Sequence, residues 1–229
     1  DLHTMKLTGE SHAVWKGALK NVIWPEGPHL YKHDGYYYLM NAEGGTGPDH
    51  CVSIARSEQV YGPYVGNPDN PILTHRHLGR NYPVTCAGHG DLVEDADGNW
   101  YMVLLACRPR QGHTLLGRET FLAKVVWENG WPVVNPGVGR LEEEVTLPFT
   151  PREPLPAPTV QTFAGPGLPK EFLTLRAPAA DTFRPDAATG QLTVKLLPAT
   201  LKELSAPAYL ALRWQYHRFQ TMLAMHFAP

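Results

Sequence analysis

The sequence predicts an all-β chain built from repeated antiparallel units, on three observations. Short apolar runs recur along the whole length, divided by 21 glycines and 22 prolines, the pattern of many short strands joined by turns. Two stretches read as copies: HLYK-HDG-YYYLM, from His29, aligns with DLVED-ADG-NWYMV, from Asp91, and SIARS…GPY aligns with FLAKV…GWPV. The copies lie about 60 residues apart. Beyond about Pro148 the chain turns proline-rich and then resumes alternation, which marks a second unit. Units of three or four antiparallel strands at this period point to propeller blades; a sandwich of two meanders is the alternative.

The elements follow in order. The opening DLHTMKLTG reads as strand interior. HLYK (29–32) and YYYLMNA (36–42) flank Asp34-Gly35, a hairpin signal because such a turn needs residues that tolerate positive φ. CVSIARS (51–57) is the third strand. DLVED (91–95) and NWYMVLLAC (99–107) repeat the hairpin, with one extra residue expected in the turn, and RETFLAKVVW (118–127) and NGWPVV (129–134) complete the second copy. Residues 1–147 therefore form the first unit and 148–168 a proline-rich linker or surface-packed segment. Residues 169–229 form a second β-unit, because EFLTLR (171–176), GQLTVKL (190–196) and the run 208–227 alternate apolar with polar residues. So few strands would leave bare sheet edges.

Composition narrows the functional classes. Net charge is −2 with both signs well mixed, so neither nucleic acid nor an anionic membrane surface is an expected partner. Apolar runs such as 101–107 are far too short to span a bilayer. Cys51, Cys86 and Cys107 are scattered, odd in number and without metal-ligand spacing; they read as small packed residues and leave the cellular compartment open.

Few residues offer chemistry. Glu26 stands between Pro25 and Gly27-Pro28, ahead of the first strand of the first copy, and His89 in AGHGD holds nearly the same place in the second. If these are propeller blades, the inner strands start at the central funnel, and the flanking glycines let backbone approach a ligand closely. Glu26 then reads either as a surface turn carboxylate or as a funnel acid, and His89 as a structural or a ligand-binding histidine. EGGTG (43–47) lacks the following helix that a phosphate loop requires. Arg118 reads equally as a partner of Glu119 or as a substrate contact. His75 and His77 have strand-face spacing but no third metal ligand and read as structural. No Ser or Cys is paired with a base.

Taken in order, EGPHLYK-HDGYYYLMNAEGGT, ARSEQVYGPY, NPDNPILTHRHL, GHGDLVED-ADGNWYMV and LGRETFLAKVVWENGWPVV resemble glycoside hydrolase family 43, in its β-xylosidase/α-L-arabinofuranosidase branch. The resemblance runs from about Leu7 to Val134, and ALRWQYHRFQ resembles the start of the β-sandwich that follows the propeller in that branch. It implies about two blades of a five-bladed propeller followed by part of a sandwich. It also implies inverting exo-hydrolysis of β-xylosides or α-L-arabinofuranosides from hemicellulose-derived oligosaccharides. By the same resemblance Glu26 is the general acid, and Thr46 lies near it. Arg118 binds sugar hydroxyls, and His89 lines the subsite or holds a central water or calcium. No cofactor is required. A general acid must keep its proton near neutral pH, which exclusion of water favours, and Trp24 and Pro25 are placed to exclude it. The family's water-activating aspartate and a further aspartate that tunes the acid would precede Asp1, and Asp91 is not at the motif of the water-activating residue. The alternative is a non-catalytic carbohydrate-binding or assembly fragment whose propeller is completed by a second copy or a partner chain.

Overall fold

The computed structural model describes residues 1–20, 23–149, 160–213 and 216–227. Two compact units divide the chain, Asp1–Thr146 and Leu147–Pro229.

The first unit contains two antiparallel sheets of blade form. One orders β1 (Glu26–His33), β2 (Tyr36–Glu43), β3 (Cys51–Ser57) and β4 (Val65–Gly66) as a meander, with β5 (Leu73–Thr74) also on β3. The other orders β6 (Thr85–Glu94), β7 (Trp100–Cys107), β8 (Glu119–Glu128) and β9 (Trp131–Val134) in the same way. The expected hairpin is present: His33 pairs with Tyr36 across Asp34 (φ 43°) and Gly35 (φ 82°), the two positive φ values of a tight turn. In the second hairpin Glu94 pairs with Trp100, so residues 95–99 form a turn longer than expected. The Asp95 carboxylate organises it by accepting the Asp97 and Asn99 amides. Residues 1–20 form no strand, contrary to the reading of the opening segment, and Leu2 and Leu7 are exposed. Alternation specifies a strand only where a neighbouring strand and a buried face receive it.

The core lies where the two sheets meet. Tyr38, Met40, Val52 and Ile54 of the first sheet and Ala87, Leu92, Met102 and Leu104 of the second are buried in one cluster. Gly90 permits the contact, since a Cβ there would lie 2.8 Å from Met102 Sδ and 3.5 Å from Val52 Cγ2. Polar struts cross the same junction. Tyr31 donates to the Asp91 carboxylate and accepts the Leu92 amide, and Arg56 donates to the Gly130 carbonyl. His75 is buried with both nitrogens engaged: Nδ1–H donates to Val84 O at 2.7 Å, and Nε2 accepts the Leu141 amide at 2.8 Å. This leaves His75 no free lone pair for a metal.

The second unit pairs β10 (Phe172–Thr174) with β13 (Leu210–Leu212), and β11 (Phe183–Asp186) with β12 (Gln191–Val194). Of the strand expected over 208–227, the described residues keep β13, and 214–215 lie outside the described residues. Residues 216–227 carry no strand, and Met222, Leu223 and Met225 are exposed, with no sheet among the described residues receiving them. The sequence reading missed β11, since Pro185 argues against a paired strand; it pairs with Leu192 all the same. Much of the expected linker, residues 150–159, lies outside the described residues.

Candidate active site

Both inner strands, β1 and β6, are bulged at the same end. The β1–β2 register shifts between Glu26 and His29, where Gly27 has φ 57°. The β6–β7 register shifts twice, between Thr85 and Gly88 and between Gly88 and Asp91; Cys86 (φ 57°) and His89 (φ 54°) both take left-handed backbone there. Bulges re-aim side chains and are over-represented beside active sites. Here they bring Glu26 Oε1 to 4.0 Å from His89 Nδ1. That exceeds a hydrogen bond, and Nδ1 is buried without a partner among the described residues. The approach depends on Gly27, because a Cβ there would lie 2.4 Å from His89 Nε2. Gly27→Ala is therefore expected to displace His89 from Glu26 and to destabilise the fold by about 1 kcal/mol, since alanine also resists positive φ. A crystal structure and urea melts of the variant check this.

The Glu26 side chain is 48% exposed, so the water exclusion expected from its neighbours is partial. Trp24 is itself largely exposed, with its ring over Gly45, where a Cβ would come within 2.5 Å. The Gly44–Gly47 loop is anchored at its start by Glu43. This fully buried carboxylate accepts the Ala18 and Leu19 amides at 2.8 and 3.1 Å. Thr46 stands exposed in this loop, and no hydrogen bond joins it to Glu26 among the described residues.

Arg118 is exposed just before β8. The pairing with Glu119 considered for it does not occur. Glu119 instead takes Arg108, through Nε at 3.1 Å and Nη2 at 2.5 Å, and Arg118 makes no ion pair among the described residues. Its charge is felt elsewhere. His50, which sequence reasoning passed over, is fully buried, with Nδ1 3.0 Å from Cys86 O. Burial first of all lowers its pKa, and the hydrogen bond to Cys86 O opposes the shift; His89 and Arg118 add to it and Glu26 opposes it, each to a smaller extent.

Calcium prefers six to eight oxygen ligands. Around His89 the described residues offer one carboxylate and imidazole nitrogens, and no group of three or more metal-ligating side chains occurs among them.

His50 and His75 give the fold a pH dependence. Burial, the largest cause in each, holds both pKa values below the ordinary one. Above about pH 6.5 the ring is neutral in folded and unfolded states alike; below it the unfolded chain takes up protons that the folded chain refuses. Stability is therefore expected to fall as pH drops below that point, and His75→Gln should flatten the slope in urea melts. A fold equally stable at pH 7 and 5 would contradict this.

Known proteins match the whole of this architecture. The model of glycosyl hydrolases family 43 matches residues 1–132, and that of the β-xylosidase C-terminal concanavalin A-like domain matches residues 160–229. A xylosidase/arabinosidase of Butyrivibrio fibrisolvens is 49% identical over 232 residues, covering 100% of this chain and 45% of the relative. A non-reducing-end α-L-arabinofuranosidase of Bacteroides ovatus is 35% identical, over 90% of this chain and 39% of its own length. The crystal structure of a xylan β-1,4-xylosidase from Bacillus halodurans superposes with a TM-score of 0.80 at 37% identity, over 91% of this chain and 40% of that one. The chain thus spans less than half the length of these relatives. The two bladed sheets are part of a β-propeller, the second unit is the start of a sandwich domain, and the chain belongs to glycosyl hydrolases family 43.

Proposed function

We propose that this chain carries the general-acid side of an inverting exo-glycosidase that releases xylose or arabinofuranose from the non-reducing ends of hemicellulose-derived oligosaccharides. The observation that carries the proposal is the approach of Glu26 to His89 at the bulges of two adjacent blades, with Arg118 standing just ahead of β8 in the second. The sugar class follows from relatives named as xylosidases and arabinofuranosidases.

Glu26 donates its proton to the glycosidic oxygen as the bond from that oxygen to the anomeric carbon breaks. A second carboxylate, typically about 6.5–9.5 Å away, takes a proton from the water that attacks the opposite face of the sugar. His89 and Arg118 hold the sugar hydroxyls, and Thr46 lies near the acid. Two acidic residues of these sheets are committed elsewhere: Glu43 to the Ala18 and Leu19 amides, Asp91 to Tyr31. By the resemblance to the family, the water-activating carboxylate belongs to the part of the propeller that this chain does not span.

The test is the configuration of the first product. Protein carrying this chain within a whole propeller is mixed with 4-nitrophenyl β-xyloside and followed by proton NMR. α-Xylose appearing first supports the proposal, and β-xylose appearing first overturns it.

A further inference from the structure

His50 lies on the first blade, immediately before β3, and its backbone bonds to Gly47 and Thr74 there, yet its ring bonds to the bulged strand of the second. A carbonyl oxygen can only accept, so the 3.0 Å contact to Cys86 O requires the proton on Nδ1. Nε2 is then a bare acceptor, buried and without a partner among the described residues. The ring presses on Gly88 so closely that a Cβ there would lie 2.5 Å from Cγ and 2.6 Å from Nδ1. Cys86 and Gly88 belong to the segment that contains both register shifts of β6, and His89 comes next, its ring centroid 6.4 Å from that of His50. Left-handed backbone at non-glycine residues such as Cys86 and His89 persists only where the surroundings over-determine it. The hydrogen bond to Cys86 and the contact with Gly88 supply that constraint on the face turned toward His50.

We infer that His50 is a positioning residue: reaching across from the first blade, it clamps the double bulge of β6 and so holds His89 against Glu26. The inference rests on reading Glu26 and His89 as one site. It separates His50 from an ordinary core histidine, because the hydrogen bond and not the ring volume carries the effect. An asparagine can place its amide N–H near the position of Nδ1, whereas leucine fills space without a donor.

The test uses the 229-residue chain labelled with 15N and 13C in histidine, and again uniformly, without sugar. In the wild type, long-range proton–nitrogen spectra are expected to show His50 as the Nδ1–H tautomer, its signals assigned by their loss in the variants. In His50→Leu the His89 ring signals and the amides of residues 86–89 shift, while those of β9 stay in place. In His50→Asn the His89 signals remain near their wild-type positions. An Nε2–H tautomer in the wild type overturns the clamp, as do His89 signals unmoved by His50→Leu or displaced by His50→Asn as far as by leucine. Should the leucine variant fail to fold, the wild-type tautomer and the asparagine variant decide. Since no sugar is used, a failure of the glycosidase reading would leave these outcomes unaltered.

Discussion

Glu26→Gln is expected to lower turnover of xylobiose by about 10²–10⁴-fold, the usual worth of a positioned general acid, in a protein carrying this chain within a whole propeller. The substitution keeps the shape of the side chain and its place 4.0 Å from His89 Nδ1, and removes only the transferable proton. Affinity for xylose should therefore stay unchanged, because product binding draws on His89 and Arg118. Steady-state kinetics and calorimetry of xylose binding separate the two effects. An equal loss of affinity and turnover would make Glu26 a binding or structural group.

Residues 1–229 as an isolated polypeptide are expected to release 4-nitrophenol from the β-xyloside and the α-arabinofuranoside at least about 10²–10⁴-fold more slowly than the whole propeller, for want of a general base. The resemblance to the family places that base on blades this chain does not span, and two carboxylates of the blades present are already engaged. Glu43 is fully buried and bound by two backbone amides, so it meets no water. Asp91 accepts the Tyr31 hydroxyl and lies 3.3 Å from His29 Nδ1, which fixes it in the junction between blades. Turnover by the isolated chain close to that of the whole propeller would show that one of these groups, or another in the chain, activates water.

The parts of this architecture that were legible in the sequence are those coded locally. Asp34-Gly35 announced its hairpin because only certain residues accept two consecutive positive φ values. The near-equivalence of Glu26 and His89 was visible because each precedes the hairpin of its own copy, and the fold places both at bulges of β1 and β6. What escaped was set by partners distant in sequence. Nothing around His50 distinguishes it until Cys86, 36 residues on, supplies a carbonyl. Arg118 and Glu119 suggested a pair by adjacency, yet consecutive residues entering a strand point to opposite faces, and Arg108 reaches Glu119 from across the turn. In the second unit the alternation of 216–227 was real but insufficient, since a strand needs a neighbour as well as a pattern.

The central claim is that Glu26 gives a proton to the leaving oxygen, and the most direct measurement is the dependence of kcat/KM on leaving-group acidity. A series of aryl β-xylosides would be assayed with the whole propeller and with its Glu26→Gln variant. For general acid catalysis by Glu26, the two should converge at the most acidic leaving groups, which need no proton, and separate steeply as the leaving group becomes more basic. A loss of the same size across the whole series would contradict the claim and assign Glu26 to binding or to the fold.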